Sequence, residues 1–269
     1  MLELDNSQLA LFLLCPRKYQ YIYREHLENK VGNAAHFSTH LIHKPICAWH
    51  QGLPPDWDVY FEAYKAVAIE TLAPKKGDDL YTLARARDIY NKYTETFKSD
   101  LSEFDFVTSE VAVSFPIACG DRWITKPDLV LRERATGRLG VLDLKASKWG
   151  IGAELIPFDR QFLGQAKHVG ADWMMKGHIQ LLKSENRLTR SRVKVSPDLL
   201  AEWEAELDVV YRFVELCEKS GIWPKNSPGG CSAFNQKCEF LEVCGAGELR
   251  KVLIEEWPKG DPFAYLKGA

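Results

Sequence analysis

Hydrophobic spacing divides the chain into a helical first third, a strand-rich middle and a mixed remainder. Residues 6–25 read as two short helices, with Asn6 or Ser7 able to cap the first and Pro16 suited to the first turn of the second. Cys15 falls at the joint between them. From Val31 to about Asp100 apolar residues recur every three or four positions, as at Phe61, Tyr64 and Ala68 and again at Leu83, Ala86, Ile89, Tyr90 and Tyr93, which predicts helix. Gly52-Leu53-Pro54-Pro55 and Ala73-Pro74-Lys75-Lys76-Gly77 interrupt it.

The period then falls to two. Phe106 to Phe115 alternates like a strand, Trp123 to Leu131 and Leu139 to Lys145 follow as further strands, and Ala135-Thr136-Gly137-Arg138 supplies a turn, so an antiparallel meander is expected. Asp159 to Met175 reads as helix, Gly177 to Leu182 and Arg187 to Val195 as strands, and Pro197 to Lys219 as a helix with an apolar stripe from Leu199 to Val214. Past Gly221 the chain turns rich in Pro, Gly, Ser and Asn and then carries Cys231, Cys238 and Cys244. A segment of that composition buries little of itself and is ordered by a cross-link or a bound group.

Composition narrows the class. Of 269 residues 46% are hydrophobic, enough for a sizeable packed core and one large domain. Lys plus Arg total 35 against 37 Asp plus Glu, a net charge of −2, so any contact with nucleic acid must be local. No apolar run is long enough for a membrane helix, and Leu9 to Leu14 leads into Cys15-Pro16-Arg17-Lys18 rather than a cleavage site, which predicts a cytoplasmic protein without membrane contact. Seven cysteines, an odd number, in such a chain point to thiols or metal ligation rather than disulfides.

The chemistry concentrates in Lys126-Pro127-Asp128-Leu129 and Asp143-Leu144-Lys145. Strand alternation puts Asp143 and Lys145 on one face, so two carboxylates can converge beside an ammonium. Close carboxylates repel unless a proton or a cation lies between them, and a hard divalent ion such as Mg²⁺ or Mn²⁺ suits oxygen ligands. Taken alone, Asp-x-Lys in a strand is a common pattern with no chemistry attached.

Asp128 in one strand followed by Asp143-Leu144-Lys145 in the next resembles the PD-(D/E)XK nuclease core. The resemblance implies an α/β restriction-endonuclease-like fold, a mixed central sheet flanked by helices, with residues 37–103 as a helical insertion and residues 1–30 plus 222–256 as a cysteine-bound lobe of a single nuclease domain over 1–269. It also implies a metal held by Asp128, Asp143 and the Leu144 carbonyl, with Lys145 beside the attacking water.

Further features are similar to the RecB-like branch, which includes CRISPR-associated and phage exonucleases. Gly32-Asn33-Ala34-Ala35-His36 looks like its GxxxH motif and makes His36 a metal ligand, although His36, His40 and His43 share one helical face and a helical histidine is often merely polar surface or core. Glu110 occupies a strand position near the site in that branch, or else a solvated face. Gln161-Phe162-Leu163-Gly164-Gln165 is similar to QxxxY, with Gln165 in place of the tyrosine and Gln161 left as the contact to substrate or water.

Cys15 with Cys231, Cys238 and Cys244 looks like the ligand set of that branch's 4Fe-4S cluster. A structural zinc is the rival, and Cys47, Cys119 and Cys217 read as buried small hydrophobes, Cys217 being the substitute ligand. Arg190, Arg192 and Lys194, with Lys148 and Trp149, form a basic and aromatic strip fit for a DNA backbone, or a charged edge strand that resists aggregation. The implied activity is metal-dependent hydrolysis of DNA phosphodiester bonds, by an exonuclease acting on ends or single strands in processing, repair or recombination with possible protein partners. The alternative is a non-catalytic DNA-binding or assembly subunit that keeps the fold.

Overall fold

The structure, a computed structural model, describes residues 2–28, 37–71, 82–147, 153–182, 185–227, 229–233 and 237–266. In chain order its main elements are β1 (Glu3–Asp5), α1 (Asn6–Leu14), α2 (Pro16–Tyr19) running into a wide turn Gln20–Arg24, a second wide turn Ser38–His43 leading into α3 (Lys44–His50), α4 (Trp57–Thr71), α5 (Leu83–Thr96) and α6 (Asp100–Glu103). There follow β2 (Phe104–Thr108), β3 (Val113–Pro116), β4 (Arg122–Thr125), β5 (Leu129–Glu133), β6 (Leu139–Ser147), α7 (Arg160–Val169), β7 (Trp173–Leu181), β8 (Asn186–Lys194), α8 (Pro197–Ser220), α9 (Leu241–Gly245) and α10 (Arg250–Glu256). Among the described residues no helix is long and apolar enough to cross a membrane.

The chain forms two compact units. One comprises Met1–Asn29, Ser114–Ile124 and Glu202–Gly268, the other Lys30–Val113 and Thr125–Ala201. The second holds a five-stranded sheet in the order β2-β5-β6-β7-β8, antiparallel except for the parallel β6–β7 pair. The described helices of 37–103 form one of its layers. Phe37, Leu41, Ile46, Ala86, Ile89 and Tyr93 share a single apolar core with Leu129, Leu142, Leu144, Met175 and Ile179 of the sheet. Gly140 lets the strands meet, since a Cβ there would lie 2.0 Å from the Trp173 ring.

The first unit carries the sheet β1-β4-β3, with β1 parallel to β4. Its core is aromatic: Phe12 meets Tyr19 edge-on at 5.4 Å and Trp123 meets Trp203 at 5.5 Å. Asp5, extended and one residue ahead of the expected cap, closes the start of α1 by accepting the Gln8 N–H at 2.9 Å.

Three expected elements differ. The period-two run from Phe106 to Phe115 is two strands, because the backbone reverses sign at Glu110, where φ is +56°. The run from Trp123 to Leu131 likewise breaks at Lys126-Pro127-Asp128, since proline removes the ladder donor. The helix expected to continue to Met175 stops at Gly170, whose left-handed backbone, φ 63°, ends α7 so that Trp173 can begin β7.

Candidate functional site

The register that pairs Leu129 with Leu142 in antiparallel fashion brings Asp128 beside Asp143. Both carboxylates are buried. Asp128 Oδ2 accepts the Leu144 N–H at 2.7 Å. Asp143 is gripped differently. Its Oδ1 accepts from Gln161 Nε2 at 2.9 Å and Gln165 Nε2 at 3.1 Å, two amides one turn apart on α7, and its Oδ2 lies 2.6 Å from Lys145 Nζ. Lys145 also donates to Gln161 Oε1 at 2.8 Å. Gln165, where the motif has tyrosine, is thus a second donor to the same carboxylate oxygen.

The break at Glu110 aims its side chain into this site. Its N–H donates to the Pro127 carbonyl at 2.9 Å, and its Oε2 sits 2.7 Å from Lys126 Nζ. Ligand atoms of Glu110, Asp128 and His43 all lie within 4.8 Å of one another. His43 Nδ1 is 3.5 Å from Asp128 Oδ2. His36, the histidine expected here from glycine spacing, lies outside the described residues, as do Gly32, Lys148 and Trp149. His43 is the residue that spacing passed over. Its only signal was membership of the same helical face as His36 and His40.

Electrostatics separate the two carboxyls. Burial pushes both up, but for Asp128 the His43 ring, Lys145 and the Leu144 N–H outweigh it and hold the group below the usual carboxylate range. For Asp143 burial prevails over Lys145, with Asp128 adding to it, and the group is raised. Two carboxylates and an imidazole converging on one point make the donor set of a hard divalent cation, so the residues fit one.

The model of the PD-(D/E)XK nuclease superfamily matches residues 4–156, a span that contains Asp128, Asp143 and Lys145. The chain belongs to the PD-(D/E)XK nuclease superfamily. Members of this superfamily use divalent metals, and the family makes the chain a nuclease. Among solved structures, a candidate exonuclease from Eubacterium rectale superposes with a TM-score of 0.53 at 12% identity, over 83% of this chain and 84% of that one. SSO0001 aligns at a TM-score of 0.45 and 16% identity over 91% and 86% of the two chains, and LHK-Exo, solved with dAMP, at 0.34 and 15% over 70% and 97%. The first shares the fold of this PD-(D/E)XK protein. No curated protein sequence matches it.

The basic strip on β8 is largely neutralised. Arg190 does not reach outward: its guanidinium lies 2.5 Å from Asp100, bonds the Tyr93 hydroxyl and stacks 3.6 Å from the Phe97 ring centre. Arg192 pairs with Glu133 at 2.8 Å and covers the Trp173 ring at 4.3 Å, and Lys194 is exposed at the end of the strand. In the other unit Cys15, Cys231, Cys238 and Cys244 line one pocket together with Arg17, Lys18, Tyr21 and Lys225. Cys47 and Cys217 are buried as expected, whereas Cys119 is exposed in the turn Ile117–Asp121, its thiol facing the Asp121 carboxylate at 3.9 Å.

Proposed function

We propose that the protein hydrolyses DNA phosphodiester bonds with a divalent cation held by His43, Glu110 and Asp128, acting on ends or single strands as a RecB-like exonuclease. The observation that carries the reading is the convergence of those three groups beside the Lys145–Asp143–Gln161 network. A cation there supplies charge neutralisation at the scissile phosphate and makes a nearby water easier to deprotonate. Lys145, oriented by Asp143 and Gln161, donates to the charge that builds on phosphorus-bound oxygen as water attacks and the P–O bond to the leaving sugar breaks. Asp128 needs no reorganisation, because the Leu144 N–H already fixes it. The exonuclease preference is supported by the fold shared with the Eubacterium rectale candidate exonuclease.

The four pocket cysteines are proposed to hold a 4Fe-4S cluster. Arg17 and Lys225 beside four thiols offset part of the negative charge of such a group, Lys18 being paired with Glu239 at 3.1 Å, and a Cβ at Gly230 would come within 2.9 Å of Cys15 Cβ, so only glycine leaves that wall clear.

Cleavage of end-labelled and circular DNA, single- and double-stranded, with Mg²⁺ or Mn²⁺ tests the active site. Asp128→Ala should abolish it while DNA binding persists, and full activity in that variant would refute the assignment. Protein purified without oxygen should be brown and contain iron and acid-labile sulfide. Stoichiometric zinc without iron would refute the cluster and leave the nuclease site standing.

A further inference from the structure

Lys176 lies on β7 in register with Asp143 of the parallel strand β6, so its side chain leaves the same face of the sheet. It is only 7% exposed. Its ammonium sits 3.9 Å from Asp159 Oδ2 and 5.7 Å from the centre of the Phe162 ring. Asp159 is the N-cap of α7, accepting the Gln161 N–H on Oδ1 at 3.0 Å. A buried cation beside the start of a helix is doubly unfavourable, since it is desolvated and faces the positive end of the helix dipole. Burial pulls the ammonium below the usual lysine range, and Asp159 opposes that. Such a group costs the fold stability even where it fixes a geometry.

We propose that Lys176 is a positioning residue for the nuclease site, holding Asp159 and with it the first turn of α7, so that Gln161 and Gln165 meet Asp143 and Gln161 meets Lys145. The chain of contacts is continuous from Lys176 through Asp159, the Gln161 amide and the Gln161 side chain to Lys145. It rests on the active-site reading above. A shift of the first turn moves both amides off Asp143 together, and displacement of about 1 Å costs as much as a hundredfold in rate.

The test compares Lys176→Met, Lys176→Arg, Asp159→Asn and the Met/Asn double variant in full-length protein. Single-turnover DNA cleavage with Mn²⁺ is measured, together with thermal unfolding and hydrogen exchange of the metal-free protein over Arg160–Val169. Lys176→Met should slow cleavage by about tenfold or more with KM little changed, speed exchange in α7, and leave the melting temperature level or higher, as removal of a buried charge allows. Asp159→Asn keeps the cap but loses the charge, so it should match Lys176→Met. The double variant should be no worse than either, and Lys176→Arg should recover most of the rate. Full activity in Lys176→Met, unchanged exchange in α7, or an active Asp159→Asn beside an inactive Lys176→Met would overturn the proposal, the last by making Lys176 a direct substrate contact. Asp128→Ala run alongside separates the two readings: inactive, it leaves the site standing whatever Lys176 does, and active, it removes both.

Discussion

Replacing Glu110 by glycine separates function from folding at one position. A non-glycine residue at φ +56° is disfavoured by about 1–2 kcal/mol, which glycine releases. Against this, glycine loses about 0.5–1 kcal/mol more chain entropy on folding. The ion pair with Lys126 at 2.7 Å, both side chains only about a quarter exposed or less, contributes up to about 1 kcal/mol. The three contributions nearly cancel, so Glu110→Gly should unfold within about 1 kcal/mol of the parent, a shift of about 2–4 °C. Cleavage should nevertheless fall at least about a hundredfold, the scale of removing one preorganised charge from an active site. Glu110→Gln should lose as much activity without the backbone relief. Calorimetry and cleavage of labelled DNA in Mn²⁺ measure the two sides. Retained cleavage, or a destabilisation beyond about 3 kcal/mol, would show that the left-handed turn serves the fold and not the site.

Two further outcomes follow from the helical layer of the same unit. Burial and Arg190 push His50 down to about 3 from 6.5, so the unfolded chain takes up a proton that the folded one refuses. Its stability contribution is complete above about pH 6.5 and is lost as pH falls toward 3, by about 1.4 kcal/mol per unit. Urea unfolding across that range should flatten in His50→Gln, and an unchanged slope would assign the acid loss elsewhere. Arg190→Ala strips Asp100 of its charged partner, leaving the His50 ring at 3.7 Å, and should cost about 3–5 kcal/mol without altering the salt dependence of DNA binding. A stable variant with a flatter salt slope would return Arg190 to the DNA surface.

Strand alternation was enough to read Asp143 and Lys145 as sharing a face, because a two-residue period decides faces without tertiary knowledge, and Asp128 joined them through the resemblance to the nuclease core. Gln161 was legible through its motif. Glu110 was readable as a residue but not as a turn: the alternation from Phe106 to Phe115 runs through it unbroken, and the sign of its φ is set by a carbonyl, Pro127, from another part of the chain. His43 was hidden for a related reason. Three histidines on one helical face are equivalent until the helix is placed against the sheet. Alternation likewise told which way Arg190 points and nothing of Asp100, ninety residues earlier, which meets it there.

The two aspartates of the motif read alike in sequence and differ in their surroundings. Asp128 has one oxygen pinned by a backbone N–H and faces an imidazole and a second carboxylate, a setting that favours its charge. Asp143 has both oxygens occupied by side chains from α7 and by Lys145, and burial raises it. Groups pushed apart in this way are suited to different parts in the proposed reaction. What distinguishes them is not either residue but α7, whose capping by Asp159 and termination at Gly170 decide that two glutamine amides reach one oxygen of Asp143 and none of Asp128. The departure from tyrosine at Gln165 belongs to this arrangement, since a phenol has one donor hydrogen and an amide two.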